Sequence, residues 1–285
     1  MPSVAAPASL ASAQWRERER AHAERADRMT AGRRARVARG ETHPVDDFLY
    51  TYYSYRPSLL RRWHPGADVV LEDAADRLAQ RWYRPGPVPD TAMVDDTAFR
   101  AEKGPLIEAV RRILRATAGR AGSFGCFGLH EWAMAYRAAD VRHDVPLRLG
   151  HEGTDAVVEA HDLRCTHVDA FRFFTPDAIP RNRETLRRED QVRTEQPGCL
   201  HAGMDLYKRA VKLGPLVPGE LLLDAFALAR DIRELDMRAS PYDLRAWGLD
   251  PVAIETVEGK AEYVRHQRGF AERGAAVRQR LLAVV

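Results

Sequence analysis

Residues 196–233, QPGCLHAGMDLYKRAVKLGPLVPGELLLDAFALARDIR, decide the fold. Pro197-Gly198 opens the stretch, a helix is predicted from about Cys199 to Leu213, and Gly214-Pro215 ends it. Pro218-Gly219 begins a second helix, Glu220 to Arg233, with Leu221, Leu222, Ala225, Leu228 and Ile232 on one face. Working outward, Thr97 to Ala118 repeats the helical spacing, and Thr256 to Leu282 reads as a long terminal helix rich in Arg and Glu. Pro57 fits the first turn of a short helix carrying Leu59, Leu60 and Trp63. Strand candidates are few: Asp68 to Glu72, a weaker one at Leu78 to Tyr83, and Val145 to Leu149. Leu163 to Thr175 reads as a strand or a strand-to-helix transition, and the prolines of Arg84 to Pro89 and Pro176 to Glu195 mark loops. The expected fold class is mainly α with a small β component (α+β), in a compact helical domain.

Composition divides the chain at one point. Residues 1–40 form an Arg-rich N-terminal arm, disordered over Met1 to Ala13 and partly helical beyond, with no apolar stripe to dock it. Residues 41–285 form a single mainly helical globular domain. Charged residues make up 30% of the 285 positions, but the net charge is only +3, so binding of phosphates by the arm is permitted rather than required. Three cysteines, Cys126, Cys165 and Cys199, form no CxxC pair or disulfide framework and suit a reducing cytoplasmic setting. No long apolar run suggests a membrane span, and nothing reads as a secretory signal.

Chemistry is expected around SFGCFGLHEWAMAYR, residues 123–137. A flexible loop runs into a helix over Leu129 to Arg137. The backbone N–H groups at that joint favour a nearby negative charge. His130 and Glu131 lie in its first turn, and Trp132, Met134 and Tyr136 supply apolar surface. Two further histidine–acid groups lie elsewhere. His201 and Asp205 share a helical face at i, i+4, and His167 and Asp169 share one side if their segment is a strand. Such pairs bind one metal or form a base with its orienting acid, and Glu195 is near enough in sequence to join. The three cysteines flank these groups and are read as packing residues. There is no HExxH, GxSxG, Walker loop or GxGxxG, which argues against the common zinc proteases, serine hydrolases, P-loop enzymes and dinucleotide enzymes.

The stretches HPVDDFLYTYYSYRP, FGCFGLHEWAMAYR, CTHVDAFRFFTP, EQPGCLHAGMDLYK and ELDMRASPYDL together resemble an actinobacterial family labelled 3-methyladenine DNA glycosylase, from Glu41 to the C-terminus. The resemblance implies base excision of alkylated purines from double-stranded DNA, a DNA-repair hydrolase that needs no cofactor. Glu131, then Asp205, would guide water or stabilise the sugar cation, with His130 and His201 beside them. Tyr52, Trp63, Trp132, Tyr136, Phe173 and Arg172 would hold the flipped base. The helix-hairpin-helix of established alkyl-base glycosylases is not carried over, because Glu220 stands where its second glycine would be. The alternative reading, from residues alone, is an enzyme that uses a divalent metal on a small molecule, with His130, His167, His201 and Asp205 as ligand candidates.

Overall fold

The computed structural model describes residues 7–141 and 144–285. Its elements are β1 (Ala8–Leu10), α1 (Ser12–Ala38), α2 (Phe48–Thr51), α3 (Pro57–Leu60), β2 (Val69–Leu71), β3 (Tyr83–Pro85), β4 (Ala92–Val94) and α4 (Asp96–Ala118). There follow α5 (Leu129–Ala133), α6 (Gly150–Glu159), α7 (Val168–Phe171), α8 (Gln191–Thr194), α9 (Leu200–Leu213), α10 (Gly219–Arg238) and α11 (Val257–Leu282), with short 3-10 turns between. The chain is therefore mainly α with a small β part. No helix among the described residues is long and apolar enough to cross a membrane.

The α9–α10 hairpin is the centre of the core. Gly203 near the start of α9 faces Ile232 near the end of α10, and the Tyr207 ring packs, tilted, 5.1 Å from that of Phe226, so the two helices run antiparallel. A Cβ at Gly203 would lie 2.6 Å from Ile232 Cδ1, which explains the small residue there. Helix α11 packs across both, α4 packs on α9 and α11, and α1 covers α10. The sheet is peripheral, in the order β1-β2-β4-β3, with β1 parallel to β2 and the other pairs antiparallel.

Several expectations are corrected. The Arg-rich segment is not a free arm: β1 joins the sheet and α1 is a docked helix of 27 residues. The expected disorder of residues 1–6 lies outside the described residues. Trp15, His22, Ala26 and Thr30 form the buried face of α1, one large ring and three small or polar residues, so no apolar stripe shows in the sequence. Three of its arginines pair across the fold, Arg18 with Glu220, Arg25 with Asp224 and Arg33 with Asp47, and help to hold the helix in place. Residues 145–149 contribute only a bridge, Leu147 to Tyr242, and the weaker strand near Leu78 begins instead at Tyr83, running into the expected loop.

Two positions give direct tests of this packing. Gly259, in the first turn of α11, sits so close to the preceding loop that a Cβ would lie 2.0 Å from Ala253 O. Backbone cannot swing aside as a side chain can, so Gly259→Ala is expected to cost about 3 kcal/mol, read from the urea midpoint. His64 is packed against Tyr83, with its Nδ1 3.0 Å from the phenol oxygen. Burial first, then the nearby Arg77 and Arg62 charges, lower its pKa to about 4. The folded state thus binds the proton less readily than the unfolded chain. The stabilisation is whole above the unfolded value of about 6.5 and is lost as pH falls toward 4, by at most about 3 kcal/mol. Urea midpoints at pH 7 and pH 5 should differ less in His64→Gln than in the parent.

Candidate metal centre

Three of the predicted histidine–acid groups meet in space. His201 near the start of α9 stands between His130 of α5 and His167 at the start of α7, its ring centroid 4.5 Å from the first and 5.1 Å from the second. His130 Nε2 is 3.1 Å from Asp236 Oδ1 on α10, and His167 Nε2 is 3.6 Å from Asp205 Oδ2 on α9. His130 is held from behind by Cys126, whose Sγ lies 3.7 Å from its Nδ1, so Nε2 is the nitrogen turned toward the site. All five side chains are buried; Asp236 has no exposed surface and His201 is the most open at 9%.

The polar atoms of this cluster are poorly satisfied. His130 Nε2, both nitrogens of His167, His201 Nδ1 and both oxygens of Asp236 have no hydrogen-bond partner among the described residues. The 3.1 Å approach of His130 to Asp236 is an ion-pair distance without hydrogen-bond alignment. Buried polar groups in folded proteins are almost always partnered, and leaving several unmade in one place is costly. One ligand atom each from His130, His201 and Asp236 falls within a sphere of 4.8 Å, and the same holds for His167, Glu195 and Asp205.

The two sets differ in what already surrounds them. Glu195 is saturated: Arg209 donates to both oxygens at 2.8 Å, with Gln191 and Thr117 adding further bonds. Asp205 faces Lys208 at 3.4 Å, Arg209 at 3.7 Å and the Tyr53 hydroxyl at 3.4 Å. Burial pushes the Asp205 pKa up, but His167, Arg209 and Lys208 outweigh it and hold the carboxyl well below its usual range. That set carries two cations of its own, while in the other set a single one among the described residues, Arg233, lies 3.6 Å from Asp236 Oδ2. In the first set burial lowers the His130 pKa, and the Asp236 charge more than restores it, so His130 ends well above the ordinary value. His201 is driven well below it by burial and by His130. Two imidazole nitrogens and a carboxylate oxygen are of the donor types that hold a divalent transition metal.

Beside the imidazoles lies a narrow slot of about 20 Å³, lined by Phe48, Tyr52, Met134, Phe173, Glu131, Asp169, His201 and Arg233. Arg233 closes one wall. Its Nη1 donates to Glu131 Oε1 at 3.0 Å and lies 3.6 Å from Asp236 Oδ2, and its guanidinium stacks 4.1 Å over Phe48. Lys208 bridges Asp205 to Asp169, donating to Asp169 at 2.9 Å, and sits 5.8 Å over Tyr52. Burial raises the Tyr52 phenol to about 12.

Of the predicted residues, Glu131, Asp205, His130, His201 and His167 converge, and Tyr52 and Phe173 line the slot. Arg172 is exposed, stacked over Phe173 at 4.5 Å. Trp63, Trp132 and Tyr136 are corrected to core residues: each is at most 2% exposed. The Trp63 indole donates to Glu220, that of Trp132 to Ala239 O, and the Tyr136 hydroxyl to Glu159. The expected anion site at the loop–helix joint is absent, because α5 has only five residues and the Leu129 and Glu131 amides donate to Cys126 O and Gly128 O. His167 and Asp169 do not share a strand face; the segment turns into α7, and Asp205 rather than Asp169 reaches His167. The cysteines are free, and burial pushes the Cys165 and Cys199 thiols well up, in keeping with packing.

Sequence reasoning missed Arg233 and Asp236 as site residues. Their signal was present: they continue the stripe Phe226, Ala229, Arg233, Asp236 at i, i+3, i+7 and i+10, where an apolar residue is due. Comparison with protein-family models, curated proteins and solved structures finds no match to this chain.

Proposed function

We propose that the chain is a metal-dependent enzyme acting on a small molecule, with His130, His201 and Asp236 as ligands of one divalent ion. The observation that carries this reading is the cluster of buried imidazole and carboxylate atoms, lacking hydrogen-bond partners among the described residues, that converges from α5, α9, α10 and the start of α7. A bound divalent ion supplies Lewis acidity to a substrate oxygen and to water. The protein's own residues then divide the remaining work. His167, whose Nε2 faces its orienting acid Asp205 at 3.6 Å, accepts a proton at Nδ1. Lys208 and Arg209 keep Asp205 ionised, so that the positive imidazolium formed at His167 is stabilised. The rings of Phe48, Tyr52 and Phe173 position an apolar or planar part of the substrate and exclude water. The slot as it stands has room for about one water, so substrate entry requires its walls to part. Elemental analysis of untagged protein purified without chelator tests the assignment. About one equivalent of a divalent transition metal is expected, falling to background in His201→Ala; no metal in the parent rejects the reading.

A second reading, removal of alkylated purines from DNA, is favoured by one feature of the same slot: stacking rings beside two carboxylates, Glu131 and Asp169. Release of free base from methylated DNA, lost in Glu131→Gln, would support it, and no release by the parent protein would reject it.

A further inference from the structure

A second cavity, of about 330 Å³, lies away from the slot, where the end of α4, residues 164–166, residues 183–186 and α8 meet. Four arginines line it, Arg120, Arg164, Arg183 and Arg193, against one carboxylate, Glu184. A cavity of about 300 Å³ between α1 and α10 is more nearly balanced, its lining arginines facing Asp46, Asp231 and Glu234 as well. We propose that the basin beside α4 and α8 binds a small phosphate-bearing molecule, the four guanidinium groups holding the phosphate.

The argument rests on what the arginines are doing. Arg183 makes no ion pair among the described residues. Arg164 meets the exposed Asp162 at 3.1 Å, and Arg193 meets the exposed Glu184 at 3.1 Å and the half-buried Asp190 at 3.2 Å. Exposed pairs of this kind contribute little and exchange partners easily. Arg120 is fixed instead, donating at 2.8 Å to Glu195 O, so one guanidinium is preset at the rim. Planar guanidinium forks match phosphate oxygens two at a time, which favours phosphate over a simple monovalent anion. The hydroxyls of Ser123 and Thr166 add donors suited to a phosphate or a sugar. A volume of this order accepts a nucleoside monophosphate-sized ligand and is too small for a duplex. Cys165 forms part of the wall, two residues before His167, so a ligand here presses on the segment that delivers that histidine to the proposed centre.

Calorimetric titration with inorganic pyrophosphate and with adenosine 5′-monophosphate tests this, on the full chain after removal of metal with EDTA so that phosphate cannot report on a metal ion. Saturable binding of at least one probe is expected, weakened about tenfold or more in the surface variant Arg164→Gln/Arg183→Gln, whose thermal midpoint should equal the parent's. No saturation with either probe up to about 10 mM overturns the proposal, as does binding that the double variant leaves unchanged. Binding of a short DNA duplex that the double variant weakens, with neither small probe bound, also overturns it and assigns the basin to a nucleic-acid backbone.

Discussion

His167→Gln is expected to keep the metal and lose the reaction, whereas Asp236→Asn is expected to lose both. His167 lies next to the ligand set without belonging to it, and its partner Asp205 is held ionised by Lys208 and Arg209. Glutamine preserves the volume and a hydrogen-bonding head but cannot take up a proton, so turnover should fall about 10²–10⁴-fold, the usual contribution of a positioned general base. Metal content should stay near that of the parent. Asp236 supplies the anionic member of the proposed set and has no exposed surface. An amide in its place removes the charge that draws a cation between His130 and His201, so metal content should drop toward background. With the ion gone, the stabilisation that binding gives the folded state goes too, about 2.7 kcal/mol when the free metal stands at about 100 times its dissociation constant. Thermal midpoints measured with and without added metal should therefore separate in the parent and in His167→Gln, and coincide in Asp236→Asn. Equal metal content in all three proteins would place the ion elsewhere or nowhere.

The helical frame was legible because its elements carry strong local signals. Helices α9, α10, α4 and α11 have proline or glycine at their boundaries, or a capping residue such as Asp95 or Thr256, and a buried face that repeats at helical spacing. The sheet was less legible because each strand has only three residues, too few for alternation to show. Helix α1 was misjudged for a different reason. Its contacts are set by one tryptophan, whose indole donates to Glu72 O, and by ion pairs to partners up to 202 residues away, and no local pattern records those. At the site, spacing alone put His201 and Asp205 on one helix, but the structure divides them, His201 falling beside Asp236 and Asp205 beside His167. The closure of the cluster by Arg233 and Asp236 depends on α10 lying antiparallel to α9, a tertiary fact; only the charged residues in an otherwise apolar stripe hinted at it. Aromatic residues misled for the opposite reason. A tryptophan has the same local appearance whether it lines a cleft or fills a core, and the indole hydrogen bonds that decide the matter reach Glu220 for Trp63 and Ala239 for Trp132.

Arg233→Met should be the most destabilising single change at the site. The guanidinium is 2% exposed and stands between Glu131 and Asp236, the second fully buried. Methionine fills much of the same volume and can still pack on Phe48, so the loss is one of charge. Two carboxylates that shared a cation are left in a low-dielectric interior, and breaking a buried pair in this way costs about 3–5 kcal/mol. In a chain of this size that lowers the thermal midpoint on the order of 10 °C. Adding Glu131→Gln removes one of the two stranded charges, so the double variant should recover part of the loss, with a coupling of about 1–3 kcal/mol in the cycle. The proposed metal makes the experiment sharper. A divalent ion held by Asp236 replaces part of what the guanidinium supplied, so the cost of Arg233→Met should shrink when metal saturates the protein. If Arg233 serves only as packing beneath Phe48, the cost will be the same with and without metal, and Glu131→Gln will recover nothing.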